Sequence, residues 1–142
     1  MMIRRRILQA LMAALGVILL VRFAAPGVIA GAEPFAVGGT VDILLDSEFR
    51  FLSALAGSSG IAYFWMIARV ERHKALFIIL AAGAFAGGLA RLVSMAQYGM
   101  PADKAVIATV IELVVPVIAI PLMWSVAADH ARGAPSDETA SN

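Results

Sequence analysis

The chain has 142 residues, 61% of them hydrophobic and 15% charged, with a mean hydropathy of +0.89 and a net charge of +1. Soluble domains are about 45 to 50% apolar, so an ordinary soluble globule is excluded. The net charge of +1 argues against nucleic acid as a partner, because phosphate binding needs clustered excess Lys and Arg on a solvated face. Without cysteine there is no disulfide framework, thiolate nucleophile or cysteine metal site, and no cofactor is implied.

Four stretches are long enough to cross the hydrocarbon as helices, which takes roughly 20 apolar residues at a rise of about 1.5 Å each. They fall at about 7–25, 49–68, 75–95 and 105–127. None has the short alternating pattern of barrel strands, and a helix satisfies its own backbone in lipid. The expected fold class is all-α: an antiparallel four-helix transmembrane bundle over residues 1–128, followed by a disordered tail at 129–142 whose Ser, Asp, Glu, Ala and Gly cannot build a core.

The first helix follows Arg4, Arg5 and Arg6 and carries Arg22 near its far end, where an arginine can snorkel to the headgroups. The three arginines, the apolar run and the small residues Ala30-Gly31-Ala32 also resemble a secretory signal peptide. The run is longer than the usual h-region of about 7 to 15 residues, which favours a retained helix. The connection at 26–48 is apolar for an exposed loop, with Val28, Ile29, Phe35, Val37, Val41, Ile43, Leu44 and Leu45. A structureless loop of that length is uncommon unless functional.

The second helix opens on Asp46-Ser47-Glu48-Phe49-Arg50. Asp46 or Ser47 is the expected N-cap, Glu48 suits the helix dipole, and Arg50 can pair with Asp46 four residues back. A short basic turn, Arg69-Val70-Glu71-Arg72-His73-Lys74, joins it to the third helix and is expected at headgroup level.

On the third helix Gly83, Gly87, Arg91 and Ser94 fall on one stripe. Gly83 and Gly87 form a small-xxx-small pair that lets another helix approach closely, so Arg91 is expected on a packed face. Tyr98, Gly99 and Pro101 end this helix. The fourth carries Ala105, Thr109, Glu112, Pro116 and Ala119 on a comparable stripe. Pro116 and Pro121 lack an N–H, which frees the carbonyls of Glu112 and Val117 from their intrahelical partners.

Arg4, Arg5, Arg6, Arg69, Arg72, Lys74 and Arg132 fall on one side of the membrane, whereas the loops of the other side hold only Lys104, seven against one. The positive-inside rule puts both termini in the cytoplasm of a multi-pass protein of the bacterial inner membrane. The rise per residue sets Arg91 roughly 9 Å and Glu112 roughly 5 Å outside the midplane. Their side chains lean toward their own helix N-termini, so a direct ion pair is expected. An intramembrane charge is a functional-site candidate by default. Arg91, Glu112, Arg22, Glu48 and Arg50 together form the candidate cluster, of net +1, for ligand binding or ion pairing.

At Asp46-Ser47-Glu48-Phe49-Arg50-Phe51, Gly87-Gly88-Leu89-Ala90-Arg91-Leu92-Val93-Ser94, Gly99-Met100-Pro101 and Ile111-Glu112-Leu113, the chain resembles the small bacterial membrane proteins catalogued only as domain of unknown function 4345. That resemblance covers roughly 8–126, implies four helices with the same polar positions, and brings no activity. In architecture such a bundle is also similar to the sterol-isomerase and sigma-2-receptor type of ligand pocket and to DoxX-type membrane subunits, analogies that transfer no function.

Three functions follow as expectations. The first is a non-enzymatic protein in contact with membrane lipids that binds a small amphipathic ligand at an outward-opening pocket, with Arg91 and Glu112 as anchors. The second is an accessory or assembly subunit of a larger membrane complex, or a homo-oligomer, with Gly83 and Gly87 against the partner. The third, an isomerase-like enzyme using Glu112 as acid or base, lacks a second convergent acid. His73 and His130 lie away from the cluster and cannot pair as haem ligands, and no internal repeat suggests transport.

Overall fold

A computed structural model describes residues 2–36, 39–101 and 103–133. Its regular elements are helices. α1 (Met2–Ile18) continues through a π-helical turn (Leu19–Ala24) into α2 (Ala25–Ala30), making one helical run, Met2–Ala30. The run starts before the expected residue 7 and passes the expected end at 25, so Val28 and Ile29 are helical, not loop. Pro26 does not stop it. Pro26 leaves the Arg22 carbonyl without its usual N–H donor. The widened turn just upstream, where Ala25 N–H reaches back to the Leu20 carbonyl, takes up the mismatch.

Gly31 ends α2 at φ +60°, with its N–H on the Gly27 carbonyl at 3.0 Å. A short 3-10 turn (Glu33–Phe35) follows; Val37, part of the apolar connector, lies outside the described residues. α3 (Ile43–Ile67) starts at 43 rather than 49 because Asp42 is its N-cap, accepting the Leu45 N–H at 2.8 Å. Neither Asp46 nor Ser47 caps it. A 3-10 turn (Val70–His73) leads into α4 (Lys74–Tyr98), which closes at Gly99, φ +92°. α5 (Asp103–Gly133) carries Pro116 and Pro121 in its interior. It continues through 129–133, residues the sequence reading assigns to the tail; the rest of the tail, 134–142, lies outside the described residues.

Three helical segments are long and apolar enough to cross a membrane: Met2–Ala30, Val70–Tyr98 and Ala105–Arg132. α3 has the length but is not among them, because Ser53, Gly57, Ser58, Ser59 and Gly60 dilute its apolar run. Those residues have another use. The chain divides into two compact units, residues 9–68 and residues 1–8 with 69–142.

In the unit 9–68, α3 buries Ser53, Gly57, Gly60, Tyr63 and Met66, a stripe at helical spacing. It packs on the π turn and α2. A Cβ at Gly57 would stand 2.8 Å from that of Ala24, and one at Gly60 3.1 Å from the Gly16 carbonyl oxygen. Gly27 sits directly against Ser53. These absent side chains are what let the helices approach. Gln9 Nε2 donates to the Ile67 carbonyl at 2.7 Å, satisfying an orphan acceptor at the end of α3.

In the other unit α4 and α5 pack together, and Leu8, Val70, Phe77, Ala81, Ala119, Met123 and Val126 are buried. Thr109, also buried, donates its hydroxyl to the Ala105 carbonyl at 2.9 Å, so it costs no unpaired polar group. At the other end of the helix pair, Arg5 Nε lies 3.5 Å from Glu71 Oε2, Arg4 lies 4.0 Å from Asp129, Arg132 also pairs with Asp129, and the Lys74 ammonium sits over the Trp124 ring.

Candidate functional site

Arg91 of α4 and Glu112 of α5 form an ion pair, Nε to Oε2 at 2.9 Å. The close helix contact that permits it is made by Gly88, one turn before Arg91. A Cβ there would stand 2.9 Å from Leu113 and 3.2 Å from the Glu112 Cβ. Arg91 keeps 43% of its side chain exposed and Glu112 25%. Only Nε of the guanidinium is engaged among the described residues, leaving the donors on both terminal nitrogens available.

Gly83 and Gly87 meet no other helix among the described residues. Both are exposed, with open space where a Cβ would stand. The α4 face against α5 runs through Phe77, Ala81 and Gly88 instead. Arg91 stands between that packed face and the open Gly83–Gly87 stripe, which explains its partial exposure.

The remaining cluster residues belong to the other unit. Arg50 pairs with Asp46, Nε to Oδ2 at 2.8 Å, and its Nη1 donates to the Val28 and Ile29 carbonyls at the end of α2. Asp46 Oδ1 accepts the Ala32 N–H at 2.8 Å. The Arg50 guanidinium and then the Ala32 N–H hold the Asp46 carboxyl below its ordinary value. Gly31 lies directly beneath this pair: a Cβ on it would meet Asp46 Oδ1 and stand 2.6 Å from Arg50 Nη2. Asp46, expected as a cap, is therefore the acid of this constellation. Glu48 is exposed and its side chain makes no hydrogen bond or ion pair among the described residues, and the same holds for Arg22 on the π turn.

An open apolar groove of about 350 Å³ lies between α4 and α5, lined by Ala82, Phe85, Pro116, Val117, Ile120 and Pro121. Neither Arg91 nor Glu112 lines it. Among the described residues no group of three or more His, Asp and Glu is placed to hold a metal ion.

Sequence reasoning missed Gly31, Ala32, Gly16, Gly57, Gly60 and Gly88. The small-xxx-small spacing of Ser53 and Gly57 was a readable signal for the α3 contact. Nothing in the sequence separates Gly88 from its neighbour Gly87.

A family model described as a domain of unknown function (DUF4345) matches residues 7–123. Comparison with the curated proteins and with the solved structures finds no match.

Proposed function

The chain belongs to the family described as a domain of unknown function (DUF4345), and from the residues of the site we propose that it is a non-enzymatic membrane protein that binds a lipid-like, amphipathic molecule at Arg91 and Glu112. The observation carrying this reading is the half-used guanidinium. Arg91 engages Glu112 through Nε alone, and in a lipid-facing segment donors without acceptors are costly. A head group bearing phosphate, carboxylate or carbonyl oxygens supplies those acceptors, while Glu112 accepts from any hydroxyl or amine the head group carries. Gly87 and Gly83 lie one and two turns along the same stripe toward the middle of the span. Their missing side chains leave a shallow trough for the molecule's tail.

The seven-to-one charge bias supports a bacterial inner-membrane location with both termini cytoplasmic. That orientation counts the apolar part of α3, from residue 49 onward, as a fourth span.

The exposed Gly83–Gly87 stripe favours a second reading, an accessory subunit whose partner helix lies in the same trough. Native mass spectrometry of gently extracted wild type, Arg91→Gln and Glu112→Gln, all checked for helix content, separates the two. A defined small-molecule adduct in the wild type, weakened in both variants, is the expected result. Equal occupancy in all three overturns the binding site. A co-purifying protein lost on Gly83→Leu, with no adduct, replaces the first reading by the second.

A further inference from the structure

A second surface stands apart from the Arg91–Glu112 pair, at the opposite end of α4 and α5, and its argument does not depend on that proposal. Seven cations meet there: Arg4, Arg5, Arg6, Arg69, Arg72, Lys74 and Arg132. Four have partners within the fold. Arg4 and Arg132 share Asp129, Arg5 faces Glu71, and Lys74 covers Trp124. The other three, Arg6, Arg69 and Arg72, are exposed and make no side-chain hydrogen bond or ion pair among the described residues.

The backbones that carry these three are tied to one another. The Arg72 N–H donates to the Arg69 carbonyl at 3.0 Å, which holds the two backbones together across the start of a 3-10 turn. The ion pair of Arg5 with Glu71, whose facing Nε and Oε2 are both buried, fastens the start of α1 to this turn. Arg6 and Arg72 are the chain neighbours of that pair. We propose that Arg6, Arg69 and Arg72 form a binding site for a lipid head group bearing two phosphates. Three planar guanidinium forks on backbone anchored by a buried strut suit bidentate contact with two adjacent phosphates, whereas a single phosphate uses only part of the set. The position at the end of membrane-length helices selects a lipid over a soluble anion.

The test uses the full chain in neutral detergent, titrated by native mass spectrometry with a diphosphate lipid such as cardiolipin and with phosphatidylglycerol at equal total charge. The expected result is a one-to-one cardiolipin adduct preferred over phosphatidylglycerol. It should be weakened on the order of 100-fold in Arg6→Gln/Arg69→Gln/Arg72→Gln, at about 1 kcal/mol for each cation lost, and little changed in Arg4→Gln. The triple lysine variant, which keeps the charge and guards against misfolding of the glutamine variant, should also bind more weakly than wild type. Equal binding of the two lipids, or undiminished binding by the lysine variant, overturns the site in favour of diffuse attraction. Displacement of cardiolipin by equimolar inorganic pyrophosphate overturns the choice of a lipid.

Discussion

Asp46 and Arg50, one turn apart on α3, hold the end of α2 from both sides: the carboxylate takes the Ala32 N–H and the guanidinium covers the carbonyls of Val28 and Ile29. A helix leaves its last carbonyls unpaired and partially negative, so a cation there is favourable. Gly31 lies beneath the pair at a positive φ. Gly31→Ala meets both obstacles, an unfavourable backbone region and a collision with Asp46. Thermal unfolding in detergent should show a loss of about 2 kcal/mol, whereas Gly39→Ala, also at positive φ but with open space around it, should lose less.

The same carboxylate predicts an acid-sensitive step. Arg50, and then the Ala32 N–H, lower the Asp46 pKa on folding. The unfolded chain therefore binds the proton more readily. The stabilisation is fully present above the unfolded value of about 3.9 and is lost as pH falls through the lower folded value. Melting temperature followed from about pH 6 to about pH 2 should fall more steeply for wild type than for Asp46→Asn, which starts lower and lacks this proton.

Glycines on α3 and α4 should respond in opposite ways. Gly57→Leu forces a side chain against Ala24 and Leu20, and should destabilise by about 1 to 3 kcal/mol as an overpacked contact. Gly83→Ala enters open space and should be neutral or stabilising by up to about 1 kcal/mol through helix propensity. Denaturant titration of the two variants beside wild type checks the contrast.

For the pair Arg91 and Glu112, a double-mutant cycle with Arg91→Gln and Glu112→Gln should give a coupling of about 0.5 to 2 kcal/mol. The partial exposure of both side chains sets the modest scale. A coupling near zero would mean that the two charges answer to separate partners.

The existence of the helices was legible because lipid imposes a single strong pattern, a long apolar run, that few alternatives share. Their ends were not. Asp42 and Asp46 are both acceptable caps, and only the position of Ala32 shows why Asp46 is committed elsewhere. The small residues 30–32 resemble a processing signal in the sequence, while the fold gives Gly31 its own reason to be small. The common level of Arg91 and Glu112 follows from the rise per residue and a short connection, which need no knowledge of packing. Choosing between Gly87 and Gly88 did need it. The two are about 100° apart around the helix, and Arg91 aligns with the first while α5 lies against the second.

The π turn at Leu19–Ala24 acts as a phase corrector. Gly16, Leu20, Ala24 and Gly27 of the first helical run form a row against α3, and each step of four in an ordinary α-helix overshoots a full circle by about 40°. Without the wider turn the row would spiral away from its partner before reaching the clamp at α2. Because such a turn holds one residue more than an α-helical turn, a residue inserted elsewhere in the run and not absorbed by a second wide turn would leave hydropathy almost untouched, yet would rotate everything downstream of it out of alignment.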